Sequence, residues 1–196
     1  MKIVCISGTP GVGKTALAKR LAEILGVEHI ELSRHVIEKG LYQSFDEERQ
    51  SYVIDEDAVR DYIRRLYSSI GPFVLDSHYA ELTPRDLVEV LIVLRLDPRE
   101  LRKRLTARGW SARKVAENVE AELLSIPTRN AIEELGEDLV AEIDATGKSL
   151  DEIVEIAQAI LFGEKPYELG HRIDWMTLIP LSELEELLRF LESVLS

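Results

Sequence analysis

The stretch GTPGVGKT, residues 8–15, constrains this chain more than any other part of it. A short apolar run, KIVCIS, precedes the stretch, and TALAKRLAEILG follows it with apolar residues at helical spacing. A strand, a glycine loop and a helix in this order match the phosphate-binding loop pattern Gly-x-x-x-x-Gly-Lys-Thr. A chance glycine turn is the alternative, and the matching context on both sides argues against it.

Each residue type in this loop suits the binding of phosphate groups. Glycines such as Gly8, Gly11 and Gly13 let the backbone wrap around a phosphate and point its N–H groups inward. The helix that follows places the positive end of its dipole at the same point. Lys14 supplies a charge for the outer phosphates, and the Thr15 hydroxyl suits a Mg²⁺ ion. We therefore predict a site for a nucleoside triphosphate with Mg²⁺.

Strand patterns and helix patterns alternate along most of the chain. The predicted strands are KIVCIS, EHIELS, PFVLDSH, VLIVLRL and LVAEIDAT, while LYQSFDEERQSYVID is interpreted as polar and irregular. This alternation predicts an α/β three-layer sandwich, a P-loop NTPase fold with a five-stranded parallel sheet. We expect this domain to span residues 1–163. Residues 164–196 are expected to form a linker and a C-terminal amphipathic helix with a leucine stripe at Leu181, Leu184, Leu188, Leu191 and Leu195.

The third predicted strand ends in the polar sequence DSH. Asp76 should emerge at the carboxyl edge of the sheet, where ligands bind in such folds. A carboxylate there can hold Mg²⁺ through its water shell, although Asp76 could instead cap a loop. His78 lies two residues further on and projects to the same side, where it could position or deprotonate a water molecule. A structural role for His78 is the alternative.

A cluster of basic residues occurs in LRKRLTARGW. Arg102, Arg104 and Arg108 lie on one predicted helix, and Arg113 and Lys114 follow it. Guanidinium groups stabilise the charge that develops during phosphoryl transfer, and a mobile segment that carries them also excludes water. We favour Arg108 for this role and a solvated position for Arg102. The alternative for the whole cluster is a charged helix face in solvent.

Composition limits the partners and the compartment. The formal net charge is −12, so we expect no direct nucleic-acid binding, whereas a basic protein would be attracted. The acidity could equally serve solubility alone. The single cysteine, Cys5, favours a reducing cytoplasm. The run MKIVCISG is too short for a signal peptide, and no stretch reaches the roughly 18 apolar residues of a membrane span.

Taken together, GTPGVGKT, DEERQSYVIDED, VLDSH and VLRLDPRELRKRLTARGW with KVAEN resemble the atypical adenylate kinases. These are the coilin-interacting nuclear ATPase family and its archaeal relatives, and the resemblance runs from Lys2 to Leu161. Its most specific part is the Asp-x-His signature of Asp76 and His78. The resemblance implies an adenylate-kinase-like core with an AMP-binding segment near residues 31–54 and a small lid near residues 107–117.

The resemblance also implies which residues meet the nucleotide. Lys148, in the loop ATGKS, matches the adenine-side loop of the family, although it could also be a solvated lysine at a helix start. The candidate nucleotide-binding residues are Gly8, Gly11, Val12, Gly13, Lys14, Thr15, Ala16, Arg108 and Lys148. The candidate catalytic residues are Lys14, Asp76, His78 and Arg108, and the candidate Mg²⁺ ligands are Thr15 and Asp76.

The activity that the resemblance implies is ATP + AMP ⇌ 2 ADP with Mg²⁺, together with ATP hydrolysis. It further implies help in maturation of the small ribosomal subunit through a protein of its platform. One alternative is a nucleotide-switched binding module for a basic ribosomal protein with incidental kinase activity, and another is a kinase for a different small substrate. The oligomeric state stays open.

Three features depart from the family pattern. Ala16 stands where a second hydroxyl often follows the loop, so a backbone contact there survives but a side-chain contact does not. Arg34 lies near the usual place of an AMP-binding arginine but too early, and Ile37 is closer to the expected turn. The tail also extends beyond the familiar members. It could cover the core, form a dimer or bind a partner, and we favour docking on the core.

Overall fold

The computed structural model describes residues 1–47, 51–163 and 167–195. Its strands and longer helices, in chain order, are β1 (Ile3–Ser7), α1 (Lys14–Leu25), β2 (Glu28–Glu31), α2 (Leu32–Lys39), β3 (Tyr42–Asp46), β4 (Ser51–Ile54), α3 (Glu56–Ile70), β5 (Phe73–Asp76), β6 (Val88–Arg95), α4 (Pro98–Ala107), α5 (Ala112–Leu123), α6 (Ile126–Leu135), β7 (Val140–Asp144), α7 (Leu150–Phe162), α8 (Trp175–Leu178) and α9 (Leu181–Leu195). Within these described ranges, no helix is both long and apolar enough to cross a membrane.

Five strands form one parallel sheet in the order β2-β5-β1-β6-β7. This arrangement confirms the predicted fold class. The connection that leaves β1 runs toward β2, whereas the connection that leaves β6 runs toward β7 on the other side. Opposite connections of neighbouring strands leave a crevice at their carboxyl ends, and the glycine loop begins there, directly after Ser7.

The central strand β1 explains why helices cover both faces of the sheet. All of its residues are buried, and successive side chains of a strand point to opposite faces. Val4 and Ile6 pack into the core beneath α1, α4, α5 and α7. Ile3 and Cys5 pack into a second core beneath α2, α3 and α6. A strand buried on both faces is typical of a three-layer sandwich.

A β-hairpin replaces the irregular segment that was expected before α3. Strands β3 and β4 pair antiparallel, with Phe45 opposite Tyr52. The ring centroids lie 5.0 Å apart for Phe45 and Tyr52 and 4.5 Å apart for Tyr42 and Tyr52. Cross-strand aromatic contacts of this kind stabilise a hairpin despite its polar composition, so the interpretation as irregular was wrong. Residues 48–50 of the predicted AMP-binding segment lie outside the described residues.

The tail packs on the core that contains α1, α4 and α5. Trp175, Leu184, Leu187 and Leu191 are buried in this core. The predicted leucine stripe is therefore partly wrong, because Leu187 faces the core and two of the expected leucines do not. Those two are Leu181 and Leu188, which are 71% and 36% exposed. The predicted domain boundary falls at residues 164–166, outside the described part of the chain.

Candidate active site

The glycine loop lies against the end of β6. Gly8, Gly11 and Gly13 have φ angles of 133°, 98° and 113°, a region that side chains with a Cβ rarely adopt. A Cβ added at Gly8 would lie 2.4 Å from the carbonyl oxygen of Leu94. The loop therefore needs glycine for its conformation and, at Gly8, also for space. Val12 is buried and anchors the loop in the core.

Free backbone donors occur where the loop enters α1. The N–H groups of Gly13, Lys14 and Thr15 have no hydrogen-bond acceptor among the described residues. They lie at the positive end of the helix dipole, which favours an anion. The N–H of Ala16, in contrast, donates to the Gly13 carbonyl at 3.1 Å. The N–H of Ala16, a predicted nucleotide contact, is therefore less available to a phosphate than the N–H groups of Gly13, Lys14 and Thr15.

Lys14 is held inside the loop. Its side chain is 8% exposed, and Nζ donates to the Thr9 carbonyl oxygen at 3.1 Å. Burial lowers the pKa of Lys14 to about 8, and the positive Arg108 adds to this effect, whereas Asp76 and Glu122 oppose it. Lys14 is therefore still mainly charged at neutral pH, as a phosphate ligand must be.

Asp76 lies at the carboxyl end of β5, beside β1, as its place in the sequence predicts. It is 3% exposed. Burial raises its pKa, but interactions with His29, Thr15 and Lys14 outweigh burial, so the pKa lies below its ordinary value and Asp76 is ionised. Its Oδ2 atom has no hydrogen-bond partner among the described residues. Oδ2 lies 3.6 Å from Nε2 of His29, which is too far for a direct hydrogen bond.

The oxygen atoms of Thr15 and Asp76 fit a magnesium ion. Mg²⁺ prefers carboxylate and hydroxyl oxygens and keeps several of its water molecules. The unpartnered Oδ2 of Asp76 offers a buried acceptor for such a water molecule. His29, whose side chain flanks this carboxylate, is not among the residues predicted from the sequence. The available signal was the strand pattern of EHIELS, but only the structure shows that this strand pairs with β5.

His78 stands at the rim of the same edge. Its side chain is exposed, and its ring centroid lies 4.6 Å from that of Tyr79. Desolvation by the surrounding protein lowers the pKa of His78, and the positive Lys14 and Lys114 lower it further, whereas Asp76 opposes the change. His78 is therefore neutral at pH 7, in the form that can accept a proton from water.

The three arginines of α4 and its end have different surroundings. Arg108 is exposed, and its guanidinium has no hydrogen-bond partner in the described part of the chain, yet its charge acts on Lys14. Arg104 lies closer to the loop, with Nη1 3.4 Å from the Gly11 carbonyl oxygen. Arg102 instead contacts the tail, where its Cζ lies 3.8 Å from the ring centre of Phe190. The expectation of a solvated Arg102 was therefore wrong.

The remaining predicted elements flank this edge. The predicted lid, residues 107–117, covers the end of α4, a short turn and the first half of α5. Within it, Nζ of Lys114 lies 4.7 Å from the ring centre of Trp110. Lys148 lies in the loop between β7 and α7, and its N–H donates to the Ala145 carbonyl at 3.2 Å. A role in ATP binding stays a prediction for Lys148 and for the lid.

Glu122 on α5 is part of the site, although it is not among the residues predicted from the sequence. It is fully buried, and its Oε2 accepts a hydrogen bond of 2.7 Å from the Thr9 hydroxyl. The available signal was its spacing from Val115 and Val119, which places a glutamate on the apolar face of a predicted helix. A charged residue at such a position is rarely buried unless it is paired.

Comparison with known proteins identifies related chains. A family model described as "AAA domain" matches residues 4–125. A "Putative adenylate kinase" of Saccharolobus solfataricus is 41% identical over 152 residues, which cover 78% of this chain and 79% of the relative. A protein of the same name from Thermococcus onnurineus is 38% identical over 173 residues, 88% of this chain and 91% of the relative. The second alignment is too long to fit within residues 1–163, so it extends into the tail.

Solved structures share the fold at low sequence identity. The shikimate kinase of Acinetobacter baumannii, in complex with shikimate, superposes with a TM-score of 0.57 and 16% identity, over 84% of this chain and 95% of that one. Similarity at this level shows the α/β kinase fold and carries no information about the substrate.

Proposed function

We propose that this chain, which belongs to the atypical adenylate kinase family, transfers the γ-phosphoryl group of ATP to AMP in a Mg²⁺-dependent reaction. The relatives and the fold support a nucleotide kinase function, and the choice of AMP is our proposal. One observation carries it above all. Free N–H groups, the buried Lys14 and the oxygens of Thr15 and Asp76 meet at the carboxyl edge of the sheet.

The loop provides binding and charge stabilisation for the phosphates. The N–H groups of Gly13, Lys14 and Thr15 donate to phosphate oxygens, and the Lys14 ammonium exchanges the Thr9 carbonyl for the outer phosphates. Thr15 and Asp76 would hold Mg²⁺, largely through water, and a bound Mg²⁺ would supply positive charge beside the phosphate oxygens. These interactions fix the nucleotide so that its γ-phosphorus faces the acceptor.

Arg108 completes the charge stabilisation. Its guanidinium has no partner among the described residues and stands at the end of α4, close enough to act on Lys14. A planar cation there stabilises the charge that spreads over the transferred group. Since positioning and charge account for most of the catalysis, the transfer to AMP needs no general base.

ATP hydrolysis is proposed as a side reaction that depends on His78. The neutral imidazole at the rim can orient a water molecule or accept its proton. Asp76 and His78 would then govern whether water or AMP receives the phosphoryl group. The two activities share the loop but differ in their need for His78.

Product analysis tests this function. The protein is incubated with Mg-ATP alone and with AMP, CMP, GMP or UMP in turn, and the nucleotides are separated by chromatography. We expect two ADP formed for each AMP consumed, less activity with the other monophosphates, and no activity for Lys14→Ala. Release of free phosphate at the same rate with and without AMP, with no AMP consumed, would contradict the proposal.

A second candidate function is a nucleotide-switched binding module for a basic protein of the small ribosomal subunit. Two observations favour it. The net charge is −12, and Arg34, the arginine nearest to the AMP-binding position, donates to Glu38 at 2.6 Å in an exposed ion pair. Titration with a purified basic platform protein, with ATP or ADP bound, separates the two functions. A strong preference between the nucleotides without AMP turnover would favour the module.

A further inference from the structure

Three buried charges lie between the glycine loop and the tail. Arg95 and Glu122 are 0% exposed, and Glu142 is 3% exposed. Nε of Arg95 donates to Oε1 of Glu122 at 2.7 Å, and Nη1 of Arg95 contacts Glu142. Buried ion pairs lose much hydration energy, so they are stable only when the remaining oxygen and nitrogen atoms are also hydrogen-bonded.

The tail supplies several of these hydrogen bonds. Nε1 of Trp175 donates to Oε1 of Glu122 at 3.0 Å. The N–H groups of Arg172 and Ile173 donate to Oε2 of Glu142 at 2.5 and 2.8 Å. Trp175 itself is 4% exposed. The tail therefore completes a polar network in addition to covering apolar surface.

The second oxygen of Glu122 connects this network to the glycine loop. Oε2 accepts the hydrogen bond of 2.7 Å from the Thr9 hydroxyl, and the Thr9 carbonyl accepts from Lys14 at 3.1 Å. Thr9 is 4% exposed, so solvent hardly competes for its hydroxyl. A single carboxylate thus joins the indole of the tail to the residue that follows Gly8.

We propose that Trp175 and Glu122 are positioning residues of the nucleotide site. The indole N–H fixes the Glu122 carboxylate, and the carboxylate fixes Thr9 and with it the loop that binds the triphosphate. This inference rests on the proposed function, because it assumes that the loop binds Mg-ATP. The hydrogen bond from the indole then raises the affinity for the nucleotide through Glu122 and Thr9.

Replacement of the indole tests the proposal. Trp175→Phe keeps an aromatic ring and removes the N–H donor, and we expect it to raise the Kd for Mg-ATP about fivefold, the equivalent of one ordinary hydrogen bond. The matched control is Leu187→Ala, which removes a residue of α9 that is 2% exposed and outside the network. The control should lower the melting temperature and leave Kd unchanged.

Two results of this comparison would overturn the proposal. An unchanged Kd in Trp175→Phe would mean that the indole hydrogen bond does not reach the loop. An equal loss of affinity in Leu187→Ala would mean that the tail acts through general stability alone. If the unaltered protein fails to bind Mg-ATP, the proposed function fails together with this inference. If it binds and Trp175→Phe binds equally well, only the inference fails.

A double-mutant cycle tests the path through Thr9. Thr9→Val has nearly the same shape and lacks the hydroxyl that donates to Glu122. If the indole acts through this bond, Trp175→Phe will change Kd much less in the Thr9→Val background than alone. Additive effects on Kd would overturn the proposed path.

A fluorescence measurement keeps the proposal testable if Trp175→Phe does not fold. The chain has two tryptophans, so Trp110→Phe leaves Trp175 as the single indole. Addition of Mg-ATP to this variant should change the Trp175 emission, because the nucleotide draws Lys14 away from the Thr9 carbonyl, and Thr9 and the indole share the Glu122 carboxylate. Emission that stays constant through saturation with Mg-ATP would overturn the proposal.

Discussion

Glu81 provides a prediction about stability that follows directly from its burial. It lies in a short 3₁₀ turn after β5, is 8% exposed, and its Oε2 atom has no hydrogen-bond partner among the described residues. Burial raises the pKa of Glu81 from 4.5 to about 7, and the negative Glu134 and Glu56 add to the effect, whereas its own backbone N–H and Arg60 oppose it. The folded protein therefore holds a proton that the unfolded chain releases.

This difference makes the folded state less stable as the pH rises. Below pH 4.5 both states are protonated at Glu81, and between 4.5 and about 7 only the folded state keeps the proton. At 1.4 kcal/mol for each pH unit, the full cost is about 3 kcal/mol above this window. Glu81→Gln carries no charge at any pH, so we expect its stability relative to the unaltered protein to rise by about 3 kcal/mol from pH 4.5 to pH 8.

Urea unfolding at a series of pH values measures this change. The buried amide of glutamine adds a cost of its own, but that cost does not depend on pH, so the slope of the difference isolates the proton. Glu155→Gln, at an exposed position on α7, is the matched control and should show no such slope. If Glu81→Gln and Glu155→Gln follow the same pH dependence, a proton on Glu81 does not set it.

Three further predictions concern the loop and the catalytic candidates. Gly8→Ala should lower the free energy of unfolding by about 3 kcal/mol or more, because its Cβ would meet the Leu94 carbonyl. Gly40→Ala, with open space around it, should lower the free energy of unfolding by only about 1 kcal/mol. Similar urea midpoints for the two variants would contradict this. His78→Ala should reduce ATP hydrolysis far more than AMP phosphorylation, and equal losses in both assays would argue against the proposed division of roles. Arg108→Ala should lower kcat for phosphoryl transfer at least about a hundredfold. Its melting temperature should change little, since the Arg108 side chain is exposed. A kcat within a factor of three of that of the unaltered protein would exclude Arg108 from the transfer step.

Local patterns were sufficient to predict the sheet and the edge where the site lies. The strand before Gly8, the helix after Thr15 and the apolar run before Asp76 each signal their structure within about ten residues. Parallel strands with helical connections then place Gly8 and Asp76 at the same edge by topology alone, so no contact between distant residues has to be known.

Features that depend on distant partners were not predictable in the same way. Glu122 contacts Thr9 across 113 positions of sequence, and Trp175 contacts Glu122 across 53. A single sequence does not specify which buried carboxylate meets which donor. The hairpin of β3 and β4 was missed for a related reason, since its stability comes from aromatic contacts between strands and not from an apolar pattern along either one.

The length of the tail is less unusual than the resemblance to the family suggested. The Thermococcus relative aligns over 173 residues, which are 91% of its own length, and this alignment reaches beyond residue 163. Together with the buried Trp175 and Leu187, this extent favours a tail that packs on its own core.

Calorimetric titration of the intact protein with Mg-ATP measures whether the glycine loop binds the triphosphate. We predict saturable heat with one site for each chain, and no measurable heat with Lys14→Ala under the same conditions. If Mg-ATP gives no heat with the intact protein, or if Lys14→Ala binds it equally well, the glycine loop and Lys14 do not hold the triphosphate.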